Sequence, residues 1–132
     1  MPHQRECAQG VVVVVLRKDA LGQYGEEVAA RYLSGLGMKV IERNWRCESG
    51  EIDIVASEGT ALVVCEVKTR SSEAFGSPFE AITQRKLRRL RQLATKWLEA
   101  HQVYAPTVRI DVVGILQGAV GPPEIKHLRG VE

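Results

Sequence analysis

No C-x-x-C pair, no G-x-S-x-G elbow, no glycine-rich phosphate loop and no zinc spacing occurs in the chain. Those absences argue against a zinc enzyme, a serine hydrolase and a nucleotide triphosphatase. Cys7, Cys47 and Cys65 are odd in number and unpaired by spacing, so they read as reduced thiols rather than a disulfide framework. His3, His101 and His127 show no metal-ligand spacing either. Long apolar runs are missing too. Val11 to Leu16 is the one apolar run ahead of the first predicted helix, and a membrane span needs about 20 residues. Arg17-Lys18-Asp19 follows it directly, against the pattern of a secretory signal. A cytoplasmic protein with no membrane partner is the expectation.

A large net charge is also lacking. The chain carries only +2 over 132 residues, so no overall polycation is available to hold nucleic acid. The distribution is uneven. Gln84 to Lys96 contains Arg85, Lys86, Arg88, Arg89, Arg91 and Lys96 and no acid, so the remainder of the chain sums to −4. The length suits one domain, over residues 20–132, able to bury about two-thirds of its unfolded surface. Residues 1–19 read as a flexible extension, with room for an extra strand.

Alternation of elements gives the fold class. Ala20 to Leu36 forms an amphipathic helix with Leu21, Tyr24, Val28, Ala29, Tyr32, Leu33 and Leu36 on one arc, and Gly37 stops it. Strands follow at Lys39–Arg46, Glu51–Ala56 and Ala61–Thr69. Ser71 to Pro78 is a loop, a second helix runs from about Phe79 to His101, and Val108–Leu116 is a further strand. Ile125–Leu128 is a short edge strand. The order α-β-β-β-α-β-(β) describes a three-layer α/β domain with a mixed central sheet flanked by helices.

Acidic residues stand inside two of these apolar strands, at Gly50-Glu51-Ile52-Asp53 and Glu66-Val67-Lys68-Thr69-Arg70. Ionised groups there are costly unless paired or metal-bound. With Ser57 facing Thr60 in a hairpin, Asp53 lies opposite Val64 and Glu51 opposite Glu66. Asp53 and Glu66 are then diagonal neighbours on one face, roughly 7–8 Å apart at the backbone, and Lys68 shares that face at i+2. Their oxygens suit Mg²⁺ or Mn²⁺, and a lysine beside them steadies a phosphate or the attacking water. A plain cross-strand charge ladder is the competing explanation. Two features weigh against it: Leu62-Val63-Val64-Cys65 enters Glu66 without alternation, as in a strand buried on both faces, and Asp53 interrupts Ile52 and Ile54.

The order Asp…Glu-x-Lys is the core of the PD-(D/E)xK nuclease signature. Leu21-Gly22-Gln23-Tyr24-Gly25-Glu26, Arg43-Asn44-Trp45-Arg46, Gly50-Glu51-Ile52-Asp53, Glu66-Val67-Lys68-Thr69-Arg70, Phe75-Gly76-Ser77-Pro78 and Arg109-Ile110-Asp111-Val112-Val113 follow one another in that order. Together they resemble the YraN-like family of small bacterial proteins, over about residues 20–130. The resemblance implies a restriction-endonuclease-like fold, similar to archaeal Holliday-junction resolvases. It implies a first-helix carboxylate at Glu26, metal ligands at Asp53 and Glu66, and Lys68 as the catalytic lysine. The family's usual ending, a small residue and then an aromatic, is here Gly130-Val131-Glu132.

The residues support further expectations. Glu26 lies at the border of its helix's apolar arc and so can reach a sheet-edge site, whereas Glu27 faces outward. Lys86 falls between Leu93 and Trp97 within the apolar arc of the second helix, against the sheet that carries the carboxylates. Arg85, Arg88 and Arg89 on the outer face, with Arg43, Arg46 and Arg70 near the carboxylates, suit phosphate backbone contacts. Trp45 is either a stacking platform for a base or, more often for a strand tryptophan, packing. Asp111 calls for an ion pair with Arg43 or Arg109. The expected function is metal-dependent phosphodiester hydrolysis in DNA, branched or single-stranded, with Asp53, Glu66, Glu26 and the Val67 carbonyl around Mg²⁺ or Mn²⁺. The alternative is a non-catalytic nucleic-acid-binding or partner-binding component of DNA processing or uptake. A homodimer is expected where two-strand cleavage calls for two sites.

Overall fold

The computed structural model describes residues 9–72, 77, 79 and 82–132, with side chains from residue 20 onward. The elements run α1 (Gln9–Gly35), β1 (Lys39–Cys47), β2 (Gly50–Glu58), β3 (Ala61–Arg70), α2 (Gln84–His101), β4 (Thr107–Leu116) and β5 (Glu124–Leu128). The sheet has five strands in the order β1-β2-β3-β4-β5. Neighbours are antiparallel except β3 and β4, which are parallel and joined through α2. The sheet is thus mixed, as alternating elements with one helical crossover require.

Each face of the sheet buries its own cluster. Ala29, Ala30 and Leu33 of α1 pack with Ile54, Ala56, Val63, Cys65, Val113 and Ile115. Leu87, Leu90, Leu93, Ala94 and Trp97 of α2 pack with Ile52, Val55, Leu62, Val64 and Ile110 on the other. The three layers are α1, sheet and α2. Leu62, Val63, Val64 and Cys65 are all buried because β3 is covered on both sides. A fully buried Leu or Ile here contributes about 1.5–3 kcal/mol.

Several boundaries differ from the sequence reading for identifiable reasons. α1 begins at Gln9 rather than Ala20, so the segment after residue 8 is helix and not an extra strand. Adding a turn to an existing helix avoids the cost of nucleating one, even through β-branched valines. Residues 1–8 lie outside the described residues, as does most of the Phe75-Gly76-Ser77-Pro78 motif. The end of α1 is a Schellman turn: Met38 N–H donates to Leu33 O and Gly37 N–H to Ser34 O, with Gly37 at φ +97°. α2 begins at Gln84, not Phe79, because the Thr83 hydroxyl caps it by accepting from Lys86 N–H at 3.1 Å.

The β2–β3 hairpin turns one residue later than expected. Glu58 pairs with Ala61, which leaves a two-residue turn at Gly59-Thr60. Gly59 takes φ +61°, the position a type II′ turn reserves for glycine. Asp53 therefore does not lie opposite Val64; Val55 does. The shift is by two residues, so side chains within the paired stretch, Ile54 to Glu58 and Ala61 to Cys65, keep the face that was expected.

Candidate functional site

Pairing between β2 and β3 stops at Ile54 and Cys65. One step further would set Asp53 opposite Glu66. Instead, the Asp53 carboxylate takes the place of a main-chain acceptor: Val67 N–H donates to Asp53 Oδ2 at 2.8 Å. A side chain in the ladder forces the two strands apart, and the site occupies the fork.

β2 also changes face there. Ile52 packs with the α2 cluster, whereas Ile54 packs with the α1 cluster, although strict alternation would put them together. The neighbouring strand switches with it. Arg43 on β1 reaches α1, Trp45 packs on the α2 side, and Asn44 between them is left-handed at φ +57°. Asp53 thus sits at the crossing point, and it lines two chambers. One of about 390 Å³, on the α2 side, is bounded by Glu51, Asp53, Glu66, Lys68, Lys86 and Arg89 among others. The second, of about 450 Å³, lies on the α1 side and includes Glu26, Asp53, Val67, Lys68 and Arg70.

The polar groups in the fork are unevenly matched. Glu66, nearly buried, receives Lys86 Nζ at 2.7 Å and Lys68 Nζ at 3.2 Å on the same oxygen. Asp53 has no ion pair among the described residues. Burial and the adjacent Glu66 carboxylate push its carboxyl up to about 7, against the lowering effect of the Val67 hydrogen bond. Burial likewise raises the Glu26 carboxyl, opposed by a hydrogen bond from Asn44 and by Arg43. Burial and the nearby Lys86 depress the Lys68 ammonium. Burial also disfavours the charge on Lys86, but its hydrogen bonds to Glu66 and Lys68 and the nearby Glu66 and Asp53 carboxylates together outweigh this, and Lys86 is held above its ordinary value. Of the two lysines, Lys86 therefore keeps its proton more firmly, in accord with its shorter contact.

The remaining sequence candidates divide plainly. Arg70 and Arg89 line the chambers, whereas Arg43, Arg46, Arg85, Arg88 and Trp45 do not. Arg43 is tied to Glu27 at 2.8 Å and Arg46 to Glu51 at 3.4 Å. Arg85, Arg88 and Arg89 stand exposed with no acid partner among the described residues. Trp45 is half-buried against α2, its ring 6.2 Å from that of His101, which occupies the packing role considered for it.

Three residues escaped the sequence reading. Gly25 lets α1 approach β3, because an added Cβ would lie 1.9 Å from Thr69 Oγ1; this close approach brings the adjacent Glu26 to the fork. Asn44 orients Glu26. His127 donates to buried Asp111 at 2.8 Å beside the Arg109 pair at 2.9 Å, and no local pattern connects residues so far apart. Asp111 lies outside the fork. Near the end of the chain Val131 N–H donates to Ile110 O at 2.8 Å while its side chain joins the α2-side cluster.

Fold and site together define a small open-sheet α/β protein with a carboxylate and lysine cluster where two central strands part. The chain belongs to the Uncharacterised protein family UPF0102, whose model matches residues 25–115, a span that holds Glu26, Asp53, Glu66, Lys68 and Lys86. It is 57% identical over 114 residues to a UPF0102 protein of Beutenbergia cavernae, covering 86% of this chain and 97% of that one. A UPF0102 protein of Kineococcus radiotolerans is 54% identical over 121 residues, covering 91% and 99% of the two chains. One from Streptomyces coelicolor is 54% identical over 116 residues, covering 86% and 89%.

Proposed function

We propose that the protein is a metal-dependent nuclease of the PD-(D/E)xK type that hydrolyses phosphodiester bonds in DNA. One observation carries the reading: Asp53 is a half-buried carboxylate without a cation among the described residues, beside a second carboxylate that already has two. The fork lacks a positive charge at Asp53, and its donors are all oxygens, from Asp53, Glu66 and the Val67 carbonyl. Among the described residues, no three His, Cys, Asp or Glu side chains converge into a cage. Mg²⁺ sites commonly consist of one or two carboxylates completed by water and substrate phosphate, so this donor set fits a hard divalent ion. Such an ion, when bound, lowers the pKa of a water and neutralises charge on the phosphate.

The chain's own residues supply the rest. Lys86 holds one Glu66 oxygen at 2.7 Å and so fixes the carboxylate's orientation. Lys68, more loosely placed at 3.2 Å, is available to a phosphate oxygen as negative charge develops. Glu26 enters from the opposite helix. Exposed Arg85, Arg88 and Arg89 suit contacts to the phosphate backbone, which give affinity without sequence choice. The same ion pairs favour a second reading, a nucleic-acid-binding protein without catalysis, since Lys86 already satisfies Glu66.

Cleavage of labelled single-stranded, duplex and four-way-junction DNA with Mg²⁺ or Mn²⁺ tests the proposal. Lys68→Ala is expected to keep DNA affinity within a few-fold yet lower turnover on the order of a hundredfold, as for one lost transition-state donor. Lys68→Arg does not restore it, because a planar guanidinium is no substitute for a compact ammonium. With Asp53→Ala as the contamination control, wild type that cuts nothing, or Lys68 variants that cut normally, would establish the binding-only reading.

A further inference from the structure

Glycine inside a helix is less stable than alanine, so each one in α1 calls for a reason. Gly25 has its reason in Thr69. Gly22, one turn earlier on the same side, has none of that kind: an added Cβ would meet nothing within 4 Å. Yet Gly22 lines the α1-side chamber with Leu21, Glu26, Asp53, Thr69 and Arg70. Its missing side chain therefore keeps space open in that chamber rather than permitting contact between elements.

The walls of the chamber are chemically distinct. Leu21 gives an apolar surface on α1. Arg70 has no acid partner among the described residues and spends one donor on the carbonyl of Thr69 at 3.2 Å, which leaves the rest of its guanidinium for a phosphate. Asp53, Val67 and Lys68 form the partition shared with the α2-side chamber. At about 450 Å³ the space lies within the range of small-ligand pockets, about 300–1,000 Å³.

We propose that the α1-side chamber is a subsite for one unstacked nucleotide, adjoining the phosphate held at the Asp53 and Lys68 partition, and that Gly22 keeps it open. The inference rests on the nuclease reading and narrows its substrate to strands with unpaired nucleotides. A recess of this size takes a nucleotide that has left its stack, and leaving costs least where the base is already unpaired. The strand crosses the partition, with Arg70 on one side and Lys86 and Arg89 on the other.

Gly22→Leu fills the chamber and Arg70→Ala removes its cation, with the full chain studied in EDTA so that no cleavage occurs. Both variants are expected to fold, and Gly22→Leu to melt no lower than wild type. Affinity for a short oligothymidylate should fall on the order of tenfold in each, the scale of one lost base contact. In wild type, dTMP should shift the amide signals of Leu21, Gly22, Thr69 and Arg70. Normal oligothymidylate binding by folded Gly22→Leu, or dTMP shifts confined to α2, overturns the subsite and leaves the nuclease reading standing. The expected binding losses in a protein that cleaves no DNA would support the subsite and remove the catalysis.

Discussion

Replacing Asp53 by Asn should stabilise the metal-free protein, and more so as pH rises. The cause is the carboxyl's displacement from 3.8 in the unfolded chain to about 7 in the fold. A group that binds its proton more tightly when folded adds stability at low pH and loses it as pH climbs through the folded value. For Asp53, that loss begins near 3.8 and is complete just above 7. At about 1.4 kcal/mol per pH unit, the full displacement corresponds to roughly 4 kcal/mol, of which about 3 falls between pH 4.5 and 8. The substituted asparagine would carry no charge at either pH and would keep an oxygen for the Val67 N–H. Urea unfolding of both proteins in EDTA, at half-unit steps from pH 4.5 to 8.5, reads the effect, because titrating groups that do not interact with Asp53 cancel in the difference. The variant should gain steadily on wild type up to pH 7 and then hold a constant lead. A difference that stays flat across the range would refute the reasoning, since Asp53 would then carry no uncompensated charge.

Other perturbations address the remaining parts of the site. Calorimetry should detect Mn²⁺ binding to wild type and none to Asp53→Ala or Glu66→Ala variants that remain folded; equal heats from all three would remove the metal site. Changing Arg85, Arg88 and Arg89 together to Ala should weaken DNA binding for every sequence and reduce its salt dependence by up to about three counterions. An unaltered salt slope would show that this face of α2 is only solvated. Gly25→Ala should destabilise by about 1–3 kcal/mol through overpacking on Thr69, despite better helix propensity. Chemical denaturation gives the value, and a stabilised Gly25→Ala would contradict the close approach of α1 to β3.

What could be read in the sequence was mostly what breaks a pattern. Asp53, Glu66 and Lys68 interrupt apolar strands, and Lys86 interrupts an apolar helical arc; each interruption marks a polar group turned towards the fork. Glu26 was legible from its border position on the helical wheel. The hairpin at Gly59 was legible to within one residue, and the Thr83 cap also had a local signal, which competing helix residues outweighed. The change of face at Asp53 had no such signal. It depends on Asn44 in the neighbouring strand adopting φ +57° and on a side chain entering the ladder, neither of which follows from period-two alternation. Gly25 and Gly22 are equally opaque. They read as two glycines in one helix, and only the position of Thr69 separates a packing role from an open chamber.

That change of face decides how many layers can serve one site. Had β2 and β3 remained paired through Asp53 and Glu66, both side chains would project towards α2, and α1 could contribute nothing. The fork places Asp53 between the faces, so Glu26 approaches from α1 and Lys86 from α2 while β3 supplies Glu66 and Lys68. The same opening removes a main-chain acceptor from Val67, and only the Asp53 carboxylate replaces it, at 2.8 Å. Asp53 is thus both the proposed metal ligand and the wedge that maintains the opening. Asn can still serve as the wedge, whereas Ala leaves the Val67 N–H without its acceptor. The two substitutions should therefore separate: Asp53→Asn loses charge alone, and Asp53→Ala loses the geometry of the fork as well.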